Sequence, residues 1–161
     1  PWTRPVETHS TTLLAVDLGL RSGLAQYGTD GRLIRYRSTH FGSLKTLKKA
    51  VPGIFKSLGP VTHVVVEGDR NLADIWKKSS LYCGAHFQTV SAEKWRRELL
   101  IPRKQINRKR AKDEADILAR KIVGWSGLKR PVSLRHDAAE AILIGLWAVL
   151  ELNWLSDNPL K

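Results

Sequence analysis

The sequence contains a single cysteine, Cys83, and no apolar run of great length. One cysteine excludes an internal disulfide and also excludes a zinc site built from cysteines. The longest apolar stretch, residues 141–150, is about half as long as a bilayer-spanning helix has to be. We therefore expect a soluble protein.

Acidic residues are also few. The 161-residue chain has 15 Asp and Glu against 27 Lys and Arg, which gives a net charge of +12. This excess favours a polyanionic partner, nucleic acid first, although an anionic membrane surface or an acidic protein would be attracted by the same charge. A hydrophobic content of 42% is enough for one core, so we expect one domain over residues 11–155 with tails at 1–10 and 156–161.

The hydrophobic pattern predicts five strands and five helices. Three strands within residues 11–20, 22–28 and 32–41 are joined by short turns, which indicates an antiparallel meander. Strands at 61–68 and 85–90 alternate with helices at 43–58, 71–82 and 91–100, and helices at 109–123 and 135–154 follow. Pro52 is expected to kink or break the first helix. The order predicts an α/β fold in which helices flank a mixed five-stranded sheet.

Four of the scarce acids stand at the ends of predicted elements. Asp17 ends the first strand, Glu67 ends the fourth, and Asp137 and Glu140 lie in the first turn of the last helix. If the first and fourth strands are neighbours, their carboxyl ends meet at one edge of the sheet, and a helix packed there presents residues three apart on one face. The Asp-x-x-Glu spacing also fits a variant of the capping box, so Asp137 is expected to cap its helix.

Carboxylates held close together repel one another and keep their protons unless cations neutralise them. Magnesium suits such a cluster because it prefers hard oxygen ligands, and a pair of these ions can activate water and stabilise the leaving oxygen of a phosphodiester. A nuclease needs this combination, a positive surface for the phosphate backbone and a negative pocket for the metals. The alternative to a metal site is a purely structural role, in which each acid is a solvated strand end or a helix cap.

Other side chains are candidates for secondary roles. His136 is a candidate accessory residue that positions a water or a proton, and Arg21 is a candidate phosphate contact at the rim of the site. Trp76 and Tyr82 are candidates for stacking on the bases of a nucleic acid, with the core as the alternative for Trp76. Residues 101–112 carry six basic residues and no acid, so they form either a nucleic-acid-binding segment or a solvated face. The six are Arg103, Lys104, Arg108, Lys109, Arg110 and Lys112.

Three stretches, LLAVDLGLRSGLAQY, HVVVEG and HDAAEAILIGLW, occur in this order. Together they resemble the RNase H-like superfamily and, within it, the RuvC-like Holliday junction resolvases, over about residues 12–152. The resemblance implies an RNase H-like fold, with Asp17, Glu67, Asp137 and Glu140 as its catalytic and metal-binding acids. It further implies two magnesium ions, which manganese can replace, and a homodimer that cuts four-way DNA junctions with symmetric paired nicks in recombination and repair.

The same resemblance leaves rival functions open. The arginine in DLGLRSG is similar to the YqgF-like branch of the fold, which is linked to RNA maturation, whereas Glu67 favours the resolvase branch. An RNase H-like nuclease acting on RNA or on other branched nucleic acid is therefore one alternative, and a non-catalytic binding module is another. We expect an intracellular protein of the cytoplasm, the nucleoid or a DNA-containing organelle. A sugar kinase or actin-like ATPase needs two such domains, which 161 residues cannot supply.

Overall fold

The computed structural model describes residues 10–100 and 107–161. The predicted tail at 1–10 therefore lies, apart from Ser10, outside the described residues. At the other end of the chain, Leu160 is partly buried against the core. None of the helices in the described ranges is long and apolar enough to cross a membrane.

Five strands form one mixed sheet, as predicted. The strands β1 (Thr12–Asp17), β2 (Arg21–Gly28) and β3 (Leu33–His40) form an antiparallel meander. On the other side of β1, β4 (His63–Glu67) and β5 (His86–Thr89) are added in parallel, which gives the order β3-β2-β1-β4-β5. The first and fourth strands are thus neighbours at the centre of the sheet.

Helices cover both faces of this sheet. They are α1 (Leu44–Leu58), α2 (Arg70–Tyr82), α3 (Ala92–Leu99), α4 (Arg108–Trp125) and α5 (His136–Glu151). On the central strand β1, Leu14 and Val16 face a core cluster shared with α1 and α2, whereas Leu13 and Ala15 face a second cluster shared with α3, α4 and α5. Because successive side chains of a strand alternate between faces, a strand covered on both sides has to be apolar throughout, as β1 is.

The helix α5 is buried over residues 138–149 because it packs between the sheet and α4. Its apolar faces therefore lie against other parts of the protein. Tyr27 of β2 donates a hydrogen bond to the Ile142 carbonyl oxygen at 2.5 Å. Gly145 makes room for the same ring, since a Cβ there would lie 2.2 Å from the Tyr27 Cε2 atom. The helix is therefore seated rigidly on the sheet.

Pro52 does not end the first helix, which runs unbroken from Leu44 to Leu58. The predicted break is wrong because Pro52 is exposed, so the backbone carbonyl that it leaves without a helical partner can be hydrated. The buried residues Val51 and Phe55 continue the apolar face on either side of the proline.

The last helix is shorter than predicted, since it ends at Glu151 instead of Trp154. Asn153 adopts a left-handed conformation with a φ of 57°. The Asn153 N–H donates to the Leu150 carbonyl, and the Trp154 N–H donates to the Val149 carbonyl. This pair of bonds is a Schellman motif, which closes the helix in spite of the apolar residues beyond it.

Candidate active site

Asp17 and Glu67 lie side by side at one edge of the sheet. They are the last residues of β1 and β4, and the parallel register pairs them directly. The Leu18 N–H extends the ladder past this point by donating to the Glu67 carbonyl at 2.9 Å. Two acids separated by 50 positions in the chain therefore share one edge of the sheet, as the strand-end argument predicts.

The first turn of α5 reaches the same edge because β2 has a glycine beneath it. Gly23 is the cross-strand partner of Asp17. A Cβ at position 23 would lie only 1.8 Å from the Asp137 carbonyl oxygen. A side chain at this position would thus push the helix off the sheet, and its absence places Asp137 next to Asp17.

Asp137 is held in place by hydrogen bonds rather than acting as the helix cap. Its Oδ2 accepts from the Ser38 hydroxyl of β3 at 2.9 Å, and its Oδ1 accepts from the Ala138 N–H at 2.9 Å. The N-cap is Arg135, whose side chain makes no capping bond. The predicted capping role is wrong because the helix begins one residue before Asp137, at His136, so this aspartate lies inside the first turn.

Glu140 is almost fully buried, with 3% of its surface exposed. Its Oε1 receives two donors, the Arg96 guanidinium Nη2 at 2.6 Å and the His136 Nε2 at 2.8 Å. Burial alone would raise the pKa of Glu140, but these hydrogen bonds and charges outweigh burial and hold the pKa below its usual range. Glu140 is therefore ionised and already has a protein counter-ion.

The two strand-end acids behave in the opposite way. Burial, followed by the charges of Glu140, Glu67 and Asp137, raises the pKa of Asp17 from 3.8 to about 8. Burial and the charge of Glu140 also raise the pKa of Glu67, against the opposing effects of Arg96, of a hydrogen bond with Asp17 and of the nearby Trp95 indole N–H. All four carboxyl groups thus interact electrostatically, and Asp17 retains a proton at neutral pH.

Replacing Asp17 with Asn should stabilise the protein in the absence of divalent cations. Folded Asp17 keeps its proton up to about pH 8, whereas the unfolded chain loses it near pH 4, so the free energy of unfolding falls as pH rises between these values. The Asn variant does not lose stability in this way. Its free energy of unfolding should exceed that of the wild type by on the order of several kcal/mol at pH 8 and should equal it near pH 3. Denaturant unfolding with a chelator measures both. An equal difference in the free energy of unfolding at the two pH values would contradict the raised pKa of Asp17.

The donor chemistry of this cluster suits a hard divalent cation, because such cations prefer carboxylate oxygens and would offset the burial and negative charge that raise the pKa values of Asp17 and Glu67. In the conformation seen here, no three His, Cys, Asp or Glu side chains of the described ranges are arranged as a metal site. In the same conformation, the Glu140 Oε1 is in contact with Arg96 and His136.

Those predicted basic residues that the structure describes lie on other elements of the fold. Arg21 begins β2 near the acidic edge, is exposed, and lies 3.2 Å from the His40 Nδ1 through its Nη2. Arg103 and Lys104 lie outside the described residues. The remaining predicted basic residues are exposed on the first turns of α4. These are Arg108, Lys109, Arg110 and Lys112.

The two predicted stacking residues differ in their surroundings. Trp76 is fully buried in the core on the α1 and α2 face of the sheet, so it is not available to stack on a nucleic acid. Its large apolar surface and helical spacing account for this burial. Tyr82 at the end of α2 is 92% exposed and borders a cavity between α1 and α2 that Phe55 and Ile75 also line. Tyr82 therefore keeps its candidate role.

Three residues that position the acids were not found from the sequence. Gly23 carried a usable signal, since an isolated glycine inside a strand often marks a close approach of backbone. Ser38 and Arg96 carried none, because a serine in a strand and an arginine in an amphipathic helix are ordinary surface residues. Their contacts with Asp137 and Glu140 span 99 and 44 positions of the chain.

No family model matches this sequence, and no curated protein matches it either. Among solved structures, the chain is similar to T. thermophilus RuvC in complex with a Holliday junction substrate. The TM-score is 0.63 at 16% sequence identity, over 88% of this chain and 95% of that chain. The two proteins share a fold, which confirms the predicted RNase H-like mixed sheet.

Proposed function

We propose that this chain is a magnesium-dependent nuclease that cleaves four-way DNA junctions, as a member of the RuvC-like resolvases. The observation that carries the proposal is the in-register pair of Asp17 and Glu67 on neighbouring parallel strands, which interacts electrostatically with Asp137 and Glu140 from α5. Four acids from three distant parts of the chain are thereby gathered at one sheet edge in a protein of net charge +12. Such a cluster is costly in the absence of a cationic partner.

The four carboxylates would hold two magnesium ions, or manganese, which takes the same oxygen ligands. The bound ions would supply an activated water and stabilise the leaving oxygen of the phosphodiester. Asp17 and Glu67 contribute oxygens from the rigid edge of the sheet, while Ser38 orients Asp137. His136 contacts Glu140 at 2.8 Å, so we assign it a positioning role on that carboxylate.

The basic start of α4 supports a nucleic-acid substrate. Positive side chains in the first turns of a helix oppose its dipole, and the first turn of α4 has no acid to offset them. Incoming phosphates would relieve this repulsion, and they would do so whatever the base sequence. We assign phosphate contacts to these exposed residues, to Arg103, Lys104 and Arg21, and a stacking contact to Tyr82. T. thermophilus RuvC was solved with a Holliday junction, which favours branched DNA here.

Neutralising three of these basic residues should weaken junction binding and flatten its salt dependence. In Arg108→Gln/Arg110→Gln/Lys112→Gln, the slope of log affinity against log salt should fall by about 0.9 for each phosphate that the variant no longer neutralises. The charge-matched control, Lys45→Gln/Lys49→Gln/Lys56→Gln on α1, should leave the slope near that of the wild type. All six side chains are exposed. Equal slopes for the two triple variants would place the phosphate contacts elsewhere.

The substrate is tested with a panel of labelled four-way junction, duplex, flap, RNA–DNA hybrid and single strands in magnesium. Paired symmetric nicks on the junction alone are the expected result, together with a dimer in sedimentation, since two symmetric cuts need two active sites. Cleavage of RNA or of the hybrid with the junction intact would favour the YqgF-like alternative. Binding without cleavage of any substrate would favour a non-catalytic module.

A further inference from the structure

Arg96 brings a positive charge into the acidic cluster. Its Nη2 lies 2.6 Å from the Glu140 Oε1, and the side chain of Glu140 is only 4% exposed. The charge of Arg96 also lowers the pKa of Glu67 on β4. One guanidinium from α3 thus acts on acids from two other elements, in a region where little water screens it.

Arg96 is more exposed than the carboxylate with which it pairs. Its side chain is 34% exposed and its guanidinium lies over the Trp95 ring, 5.2 Å from the ring centroid, whereas Glu140 is held within the buried face of α5. A divalent cation on the Glu140 carboxylate would be repelled by a guanidinium 2.6 Å from the same group. The occupied cluster and the Arg96–Glu140 ion pair therefore disfavour one another.

We propose that Arg96 is a built-in counter-cation of the acidic cluster, which neutralises Glu140 in the cation-free protein and competes with divalent cations for that carboxylate. The inference rests on the proposed function, because it takes the four acids to be a cation site. It assigns Arg96 two arrangements: paired with Glu140 when the cluster is empty, and turned towards solvent when a cation is bound. Arg96 in this scheme sets the affinity of the cluster for cations.

The test is manganese binding to the 161-residue chain without nucleic acid, measured from the electron paramagnetic resonance signal of free manganese. Arg96→Gln removes the competing charge and should bind manganese about tenfold more tightly than the wild type. Arg97→Gln is the matched control, because Arg97 is the next residue along α3, its side chain is 64% exposed, and its Nη1 lies 3.8 Å from the Glu93 Oε1. The manganese affinity of this variant should differ from that of the wild type by less than about twofold. Arg96→Lys keeps the charge and should stay close to the wild type.

Thermal unfolding gives a second readout that does not depend on cleavage. Without cations, Arg96→Gln should melt at a lower temperature than Arg97→Gln, because it removes one of the two donors that the described residues supply to the buried Glu140. Saturating manganese should then stabilise Arg96→Gln more than it stabilises the wild type. An ion pair with a purely structural role predicts the first effect without the second.

A measurement on the wild type covers the case in which Arg96→Gln does not fold. The Nε–Hε resonance of Arg96, assigned by its loss in Arg96→Lys, should shift as magnesium is added and saturate with the binding curve. An unmoved resonance during magnesium binding overturns the inference. A manganese affinity of Arg96→Gln that equals or falls below that of Arg97→Gln also overturns the inference. Neither of these two results removes the proposed cation site. A wild type that binds neither metal overturns the inference and the cation site together.

Discussion

Asp17→Asn or Glu67→Gln is expected to reduce the rate of junction cleavage by about 10³-fold or more, because in the proposed function either change withdraws a metal ligand from a site worth several kcal/mol in the transition state. Affinity for the junction should change by less than about threefold, since the proposed phosphate contacts with basic residues would supply most of the binding. Single-turnover cleavage and fluorescence anisotropy measure the two quantities on the same substrate.

Asn at position 17 should leave the fold intact, because wild-type Asp17 with a pKa of about 8 is already protonated at neutral pH when no cation is bound. Glu151→Gln provides a charge-matched control at the exposed far end of α5 and should cleave like the wild type. Cleavage retained by both Asp17→Asn and Glu67→Gln would remove these acids from the mechanism. Loss of binding in parallel with cleavage would indicate a structural role for them.

Gly23→Ala should have the second large effect, on stability and on the site at once. The new Cβ would lie 1.8 Å from the Asp137 carbonyl oxygen and 2.3 Å from its carbonyl carbon. Both are rigid backbone atoms, so the first turn of α5 has to move away from β2. We expect the free energy of unfolding to fall by about 3 kcal/mol or more, at the upper end of what overpacking usually costs, because rigid backbone has to move. Manganese binding and junction cleavage should disappear as Asp137 is displaced.

Gly124→Ala is the matched control for Gly23→Ala. Position 124 lies within α4, and a Cβ there would meet nothing within 4 Å. The free energy of unfolding should rise by up to about 1 kcal/mol, because alanine is the better helix former. Denaturant unfolding compares the two variants directly. A Gly23→Ala protein within about 1 kcal/mol of the wild type would show that α5 does not need this close approach.

Much of the fold follows from local pattern. The hydrophobic pattern predicts the five strands of the mixed sheet, and the acids at the ends of β1 and β4 predict one shared sheet edge, because the carboxyl ends of parallel neighbours lie together. Local pattern was wrong where a helix end depends on backbone conformation. Pro52 was tolerated because its face is exposed, and Asn153 ended α5 by adopting a left-handed conformation in an apolar stretch.

The sequence by itself determined which acids are available, since a basic chain with few carboxylates places four of them at strand ends and at a helix start. Only the tertiary structure decided how Asp17 and Glu140 are charged. Asp17 keeps a proton because it is buried beside three other acids, whereas Glu140 ionises because His136, one turn earlier in α5, and Arg96, 44 positions away, both reach it. Periodicity reports which face of an element is buried, but a pKa depends on which charges meet there, and that is settled by packing.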